Sequence, residues 1–174
     1  MSGIDAAEGM IDIARRRVPA ADLRVGPMER LPWDDGRFDV VTAFNALQFA
    51  ADFATALAEA ARVVHRGGLV AVCNWARPEE RELTAVTGVL EELVRAAGLH
   101  PRQGGAVDVP FEVPDQATLE RAFLVDAGLF GAGEHAGVAA ARRTIVDAAA
   151  RFRRADGSYR FENRFLYLVA AATA

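Results

Sequence analysis

Hydrophobic positions along the chain switch between two periods. Phe38-Asp39-Val40-Val41-Thr42-Ala43-Phe44 and Leu69-Val70-Ala71-Val72-Cys73-Asn74-Trp75 are short, nearly continuous apolar runs, as in strands buried inside a sheet. Between them Phe53, Leu57, Ala60, Ala61 and Val64 recur at helical spacing, which predicts a helix from Asp52 to His65 stopped by Gly67-Gly68. Glu8 to Arg17 reads as an amphipathic helix with Met10, Ile13 and Ala14 inward, and Leu23 to Gly26 as a short strand. Leu83, Val86, Leu90 and Val94 mark a helix over Glu79 to Gly98, with Gly98 as its C-cap. Gly104-Gly105 signals a turn, and Val107 to Phe111 a short strand closed by prolines. Helices are predicted over Asp115–Ala127 and Glu134–Phe152. After the Asp156-Gly157 turn, Tyr159, Phe161, Asn163, Phe165 and Tyr167 alternate with Arg160, Glu162 and Arg164 in a final strand. Strands alternating with helices predict an α/β sheet with helices on both faces. No repeat or linker interrupts the 174 residues, so residues 1–174 read as a single domain.

Composition narrows the chemistry. The chain is 52% hydrophobic with net charge −4, a balance that favours neither nucleic acid nor an anionic membrane. Arg15-Arg16-Arg17 and Arg151, Arg153 and Arg154 read as solvated helix ends. There is no Lys, which excludes Schiff-base chemistry by a lysine of this chain. A single Cys73 excludes an intrachain disulfide, and no His, Cys or Asp spacing suggests a metal. No signal peptide or long apolar span is present, so the expected location is cytoplasmic. Heavy Ala and Arg usage suggests a bacterial source.

Particular motifs suggest a family. The chain opens Ser2-Gly3-Ile4-Asp5-Ala6-Ala7-Glu8-Gly9-Met10-Ile11-Asp12 and continues with Leu23-Arg24-Val25-Gly26 and Glu29-Arg30-Leu31-Pro32-Trp33. Asp35-Gly36-Arg37-Phe38-Asp39-Val40-Val41 and Phe44-Asn45-Ala46-Leu47-Gln48 follow at regular spacing. In order and spacing these segments resemble class I S-adenosylmethionine (SAM) methyltransferases of the type 11 group. The resemblance covers most of residues 2–77, and Asp156 to Ala170 is similar to that group's last strand. It implies a Rossmann-like sheet in which Ser2–Asp5 is the second strand and Phe38–Phe44 the fourth, apolar and buried on both faces. A first strand and its Gly-rich loop are missing from the pattern, and the fold is expected to be incomplete there.

The resemblance also assigns residues. Asp5 accepts from the ribose hydroxyls of SAM, because one carboxylate at a strand end serves two adjacent donors. Ala6, Met10, Met28, Glu29 and Asn45 complete the expected cofactor contacts. Pro27 stands where the family carries an acid for the adenine amino group, and proline offers neither a side-chain acceptor nor a backbone N–H. Gln48, Trp75 and His135 are expected to line the substrate pocket. The implied function is methyl transfer to a small molecule. Two alternatives stay open: a non-catalytic subunit or binding module, and a methyltransferase fold recruited for a cofactor-independent reaction such as cyclisation. An unfilled edge at Phe38–Phe44 invites pairing, so a homodimer or a partner protein is expected to complete the sheet.

Overall fold

A computed structural model describes residues 1–75, 83–129 and 138–173. The elements run β1 Ser2–Asp5, α1 Glu8–Arg17, β2 Asp22–Val25, β3 Phe38–Phe44, α2 Phe53–Val63, β4 Val64–Trp75 and α3 Leu83–Ala96. They continue β5 Leu99–Asp108, β6 Phe111–Val113, α4 Gln116–Leu129, α5 Val138–Ala149, β7 Tyr159–Phe161 and β8 Arg164–Ala172. The sequence reads as one domain, whereas the fold divides into two compact units: residues 1–107 with 165–174, and residues 108–164. His135 and the starts of the helices expected from Glu79 and Glu134 lie outside the described residues.

The first unit carries the expected α/β sheet. Strands run in the order β3-β4-β8-β5, with β3 and β4 parallel and β8 antiparallel to β4. Asp52 caps α2 by accepting from the backbone N–H groups of Ala54 and Thr55, at 3.0 and 3.2 Å. Leu57 and Ala60 of α2 and Leu90 and Val94 of α3 pack against Val70, Val72, Leu168 and Ala170 of the sheet. Successive strand residues point to opposite faces. The alternate set therefore lies on the other face, where Val40, Phe44, Leu69 and Trp75 are 53%, 64%, 37% and 47% exposed. The expectation that Phe38–Phe44 is buried on both faces is thus corrected: among the described residues, helices cover one face of β3 and leave Val40 and Phe44 exposed on the other.

Strands β1 and β2 form a two-stranded sheet separate from the four-stranded one. β1 pairs in parallel with β2, β3 with β4, and no ladder joins β1 to β3. Short residues 2–5 do not close onto 38–44. Helix α1 packs on β1 and β2 through Ile11, while Met10 and Ile13 are exposed, which reverses the expected inward face. The cause is that α1 rests on two strands, not on a full sheet.

Three local boundaries also differ. Helix α2 ends at Val63, because Val64 already pairs with Phe38. The register then shifts, so that Val40 faces Leu69, and the extra residues of β4 form a bulge. Gly68 is required in that bulge: a Cβ there would sit 2.7 Å from the Asp39 carbonyl oxygen. Gly104 and Gly105 form no turn but lie within β5, close against β8, where a Cβ on Gly105 would meet the Tyr167 ring at 3.2 Å. The last strand is broken into β7 and β8.

The second unit has its own small core of Val113, Leu119, Ala149 and Tyr159, packed by Phe123, Ile145 and Phe161. Strands β6 and β7 pair antiparallel, and Arg160 of β7 bridges Glu112 of β6 at 2.8 Å. That separate core explains the second unit, which no change of composition announces.

Candidate functional site

Asp5 and Asn45, two of the residues expected to bind ligand, stand at the C-terminal ends of parallel strands, where open α/β sheets take their ligands. Asp5 ends β1 and is exposed. Its Oδ1 accepts from the Ala7 backbone N–H at 2.7 Å, fixing the turn into α1. Among the described contacts Oδ2 has no partner, so the carboxylate holds one oxygen locally and offers the other. Ala6 is exposed beside it.

The loop from β2 to β3 is held by α2. Leu31 donates its backbone N–H to Glu59 Oε2 at 2.7 Å. Arg62 binds Glu59, Asp35 and the carbonyl oxygens of Leu31 and Trp33, between 2.7 and 3.0 Å. Arg62 is the centre of that clamp, with Glu59 and Asp35 both bonded to its guanidinium. The Arg62 guanidinium holds the Glu59 carboxyl below its ordinary value, and Glu59 and Asp35 raise the Arg62 value in return. This clamp fixes where Met28 and Glu29 stand. Met28 packs against the sheet's core cluster, not in an open pocket. Glu29 Oε1 accepts from the backbone N–H groups of Ala51 and Asp52, at 2.6 and 3.3 Å. Its carboxyl is lowered by its own backbone N–H and by those two donors. Glu29 therefore secures the start of α2, and its charge suits that helix end. Met10 is exposed on α1.

Asn45 follows β3 with φ at +50°, the left-handed region that few non-glycine residues adopt. Its backbone N–H donates to the Cys73 carbonyl at 2.7 Å, which ties the end of β3 to the end of β4. Its side-chain Oδ1 is buried and has no hydrogen-bond partner. Asn74, next to Cys73 on β4, has a second buried Oδ1 without a partner. Sequence reasoning missed Asn74. The available signal was one polar residue ending the apolar run Leu69–Trp75. Gln48 is exposed in the 3-10 turn Leu47–Phe49 after Asn45. The Trp75 ring stacks 4.5 Å from Phe165, on the face opposite Asn74. Burial raises the Cys73 thiol above its ordinary value, which keeps it protonated and unreactive. Among the described residues no group of three His, Cys, Asp or Glu is placed to hold a metal, and no helix is long and apolar enough to cross a membrane.

The structure thus brings Asp5, Asn45 and Gln48 to strand ends and leaves their polar groups available. It commits Met28 and Glu29 to packing and to the α2 terminus. Residues 1–72 match the Methyltransferase domain family. Demethylmenaquinone methyltransferase of Mycolicibacterium gilvum is 43% identical over 75 residues, 42% of this chain and 32% of that protein. The chain therefore spans about a third of that relative's length. A putative methyltransferase from Bacillus halodurans superposes with TM-score 0.66 at 15% identity, covering 99% of this chain and 83% of that one. A Haloferax volcanii putative methyltransferase, solved in complex with the Trm112 methyltransferase activator, gives TM-score 0.58 at 21% identity and covers 99% of this chain and 72% of that one. The match over residues 1–72 and the fold make this chain similar to class I SAM-dependent methyltransferases.

Proposed function

We propose that the chain acts in SAM-dependent methylation of a small molecule in a bacterial cytoplasm, with the cofactor ribose at Asp5 and the methyl acceptor beside Asn45, Gln48 and Trp75. The carrying observation is Asp5: an exposed strand-end carboxylate with one oxygen anchored by Ala7 and the other available. The cofactor supplies an activated sulfonium methyl group. The chain's own residues then only orient the acceptor and exclude water, and no catalytic triad is required. Ala6 and Met10 flank the Asp5 carboxylate in this reading.

Within these 174 residues the ribose contact at Asp5 is the main cofactor contact of this reading. Affinity for S-adenosylhomocysteine is accordingly expected to be micromolar or weaker. Isothermal titration calorimetry tests both parts. Asp5→Ala is expected to weaken binding further. Unchanged affinity would remove Asp5 from the site, and a submicromolar constant for the unmodified chain would overturn the expected weakness.

The unpaired edge of β3 favours a second feature. A strand from another polypeptide, a second copy or a partner protein, completes the sheet between β1 and β3. The Haloferax protein with its activator is a case of this fold working with a protein partner. Light scattering at low concentration is expected to give a mass above that of one 18.7 kDa chain. A stable monomer that still binds cofactor would refute the need for a second chain.

A further inference from the structure

Strand β5 ends the four-stranded sheet, and among the described residues no strand pairs with its outer edge. It runs ten residues, Leu99–Asp108, about twice the usual strand length. Long open edges are normally blunted by charge, proline or a bulge. Here Pro101 and the charges of Arg102 and Asp108 stand toward the two ends, whereas Gln103, Gly104, Gly105, Ala106 and Val107 between them are uncharged. Four of those five are exposed, Val107 at 47%. The centre is also flat. Gly104 lies against Leu168 and Gly105 against the Tyr167 ring, each so close that a Cβ would stand 3.2 Å away. Gln103 Nε2 donates to Tyr167 Oη at 3.1 Å. The backbone between Arg102 and Asp108 is therefore open to a second strand.

The charges decide which strand fits. Arg102 and Asp108 each stand three residues from Gly105, on the same face of the strand and with opposite sign. Among the described residues Arg102 has no ion pair. Asp108 is bonded to Arg164 at 2.6 and 3.1 Å, yet its side chain is 65% exposed and a carboxylate accepts further bonds. Two copies of β5 set antiparallel about a twofold axis at Gly105 place each Arg102 opposite the partner's Asp108. Directly opposite side chains in a ladder stand about 5 Å apart at Cβ, within reach of an ion pair. Moving the axis one residue either way sets Arg102 opposite Ala106 or Pro110, away from any carboxylate. A twofold contact must be self-complementary, and the axis at Gly105 meets that requirement. We propose that β5 is a homodimer interface, joining two four-stranded sheets into one of eight strands. This interface is separate from the β3 edge and does not rest on the methyl-transfer reading.

Sedimentation equilibrium between about 1 and 200 μM tests this, because a single strand pair is a small interface with an expected dissociation constant in the micromolar range. The unmodified chain is expected to approach twice 18.7 kDa at the upper end. Arg102→Glu and Asp108→Lys each set like charges opposite one another, and each is expected to weaken self-association by about ten-fold or more. Circular dichroism is expected to show both variants folded, since both positions are exposed. An equimolar mixture of the two variants restores both opposite-charge pairs, and is expected to associate within about three-fold of the unmodified chain. A chain that stays monomeric throughout, or folded variants that fail to associate on mixing, would overturn the proposal. So would a dimer that Arg102→Glu leaves untouched, which would place the second copy at another edge, such as that of β3.

Discussion

Asn74→Leu turns the orphaned oxygen into a measurable quantity. Asn74 lies on the same face as the buried Val70 and Val72 and pairs across the ladder with Leu166. Leucine is close to asparagine in size and suits that apolar neighbourhood. A buried acceptor left unsatisfied costs about 1–3 kcal/mol, and the substitution removes it. Side-chain repacking returns part of that gain, typically under about 1.5 kcal/mol for a volume-conserving change. The expected net effect is a stabilisation of about 1 kcal/mol, or roughly 2–4 °C in Tm for a chain of this size. Trp33 and Trp75, the two tryptophans of the chain, both belong to the first compact unit. Their fluorescence during urea unfolding therefore reports the unit that contains the mutation. A destabilisation of about 1 kcal/mol or more would show that the carboxamide is hydrogen-bonded in the folded protein. The reading of that oxygen as an unsatisfied acceptor would fall with it.

Other expectations follow from the braces around the site. Glu59 has its carboxyl held below the ordinary value, chiefly by Arg62, so its contribution is full above the unfolded value near pH 4.3 and is lost as pH falls through the folded one. Glu59→Gln should therefore lower stability by about 1–3 kcal/mol at pH 7, with the gap from the unmodified protein closing below about pH 4 in urea titrations. A pH-independent gap would contradict this. Gly68→Ala should destabilise by about 1–3 kcal/mol, because its Cβ would lie 2.7 Å from both the Asp39 carbonyl and Val64 Cγ2. A neutral result in thermal unfolding would show that the bulge relaxes freely. Leu57→Ala, at a fully buried position between α2 and the sheet, should cost about 2–5 kcal/mol by the same assay.

The sequence was most informative where local and global signals coincide. Helix α1 falls on Glu8–Arg17 as its periodicity predicts, and β3 on Phe38–Phe44. Alternation of such segments was enough for the α/β class. Burial was legible only as far as the covering layer was known. Phe38–Phe44 has the pattern of a doubly buried strand, yet Val40 and Phe44 are exposed because burial depends on what packs above. Met10 and Ile13 fail for the same reason. Gly104-Gly105 misled because a glycine pair signals a turn and a close strand contact alike. Of the candidate site, the strand-end positions of Asp5 and Asn45 were legible from their motifs. Glu29 was not, since its partners, the N–H groups of Ala51 and Asp52, are twenty-two and twenty-three residues away in sequence. Asn74 carries no motif at all and became visible only through the missing hydrogen bond.

The open edge and the exposed face have one physical root. A strand buried on both faces is written in apolar residues, and β3 is so written. Val40 and Phe44 then present hydrocarbon to water on one side, and among the described residues no ladder pairs the other edge of β3. Either defect alone is tolerated in a monomer. Together they define an occupant that has both a backbone ladder and an apolar covering layer, which is what a strand followed by a helix supplies. The clamp of Glu59, Arg62 and Asp35 holds the loop between β2 and β3 to α2 across this opening. That clamp explains how β1, α1 and β2 stay attached to the sheet without a ladder to β3. Asp5, at the end of β1, is therefore tethered through the β2–β3 loop to α2.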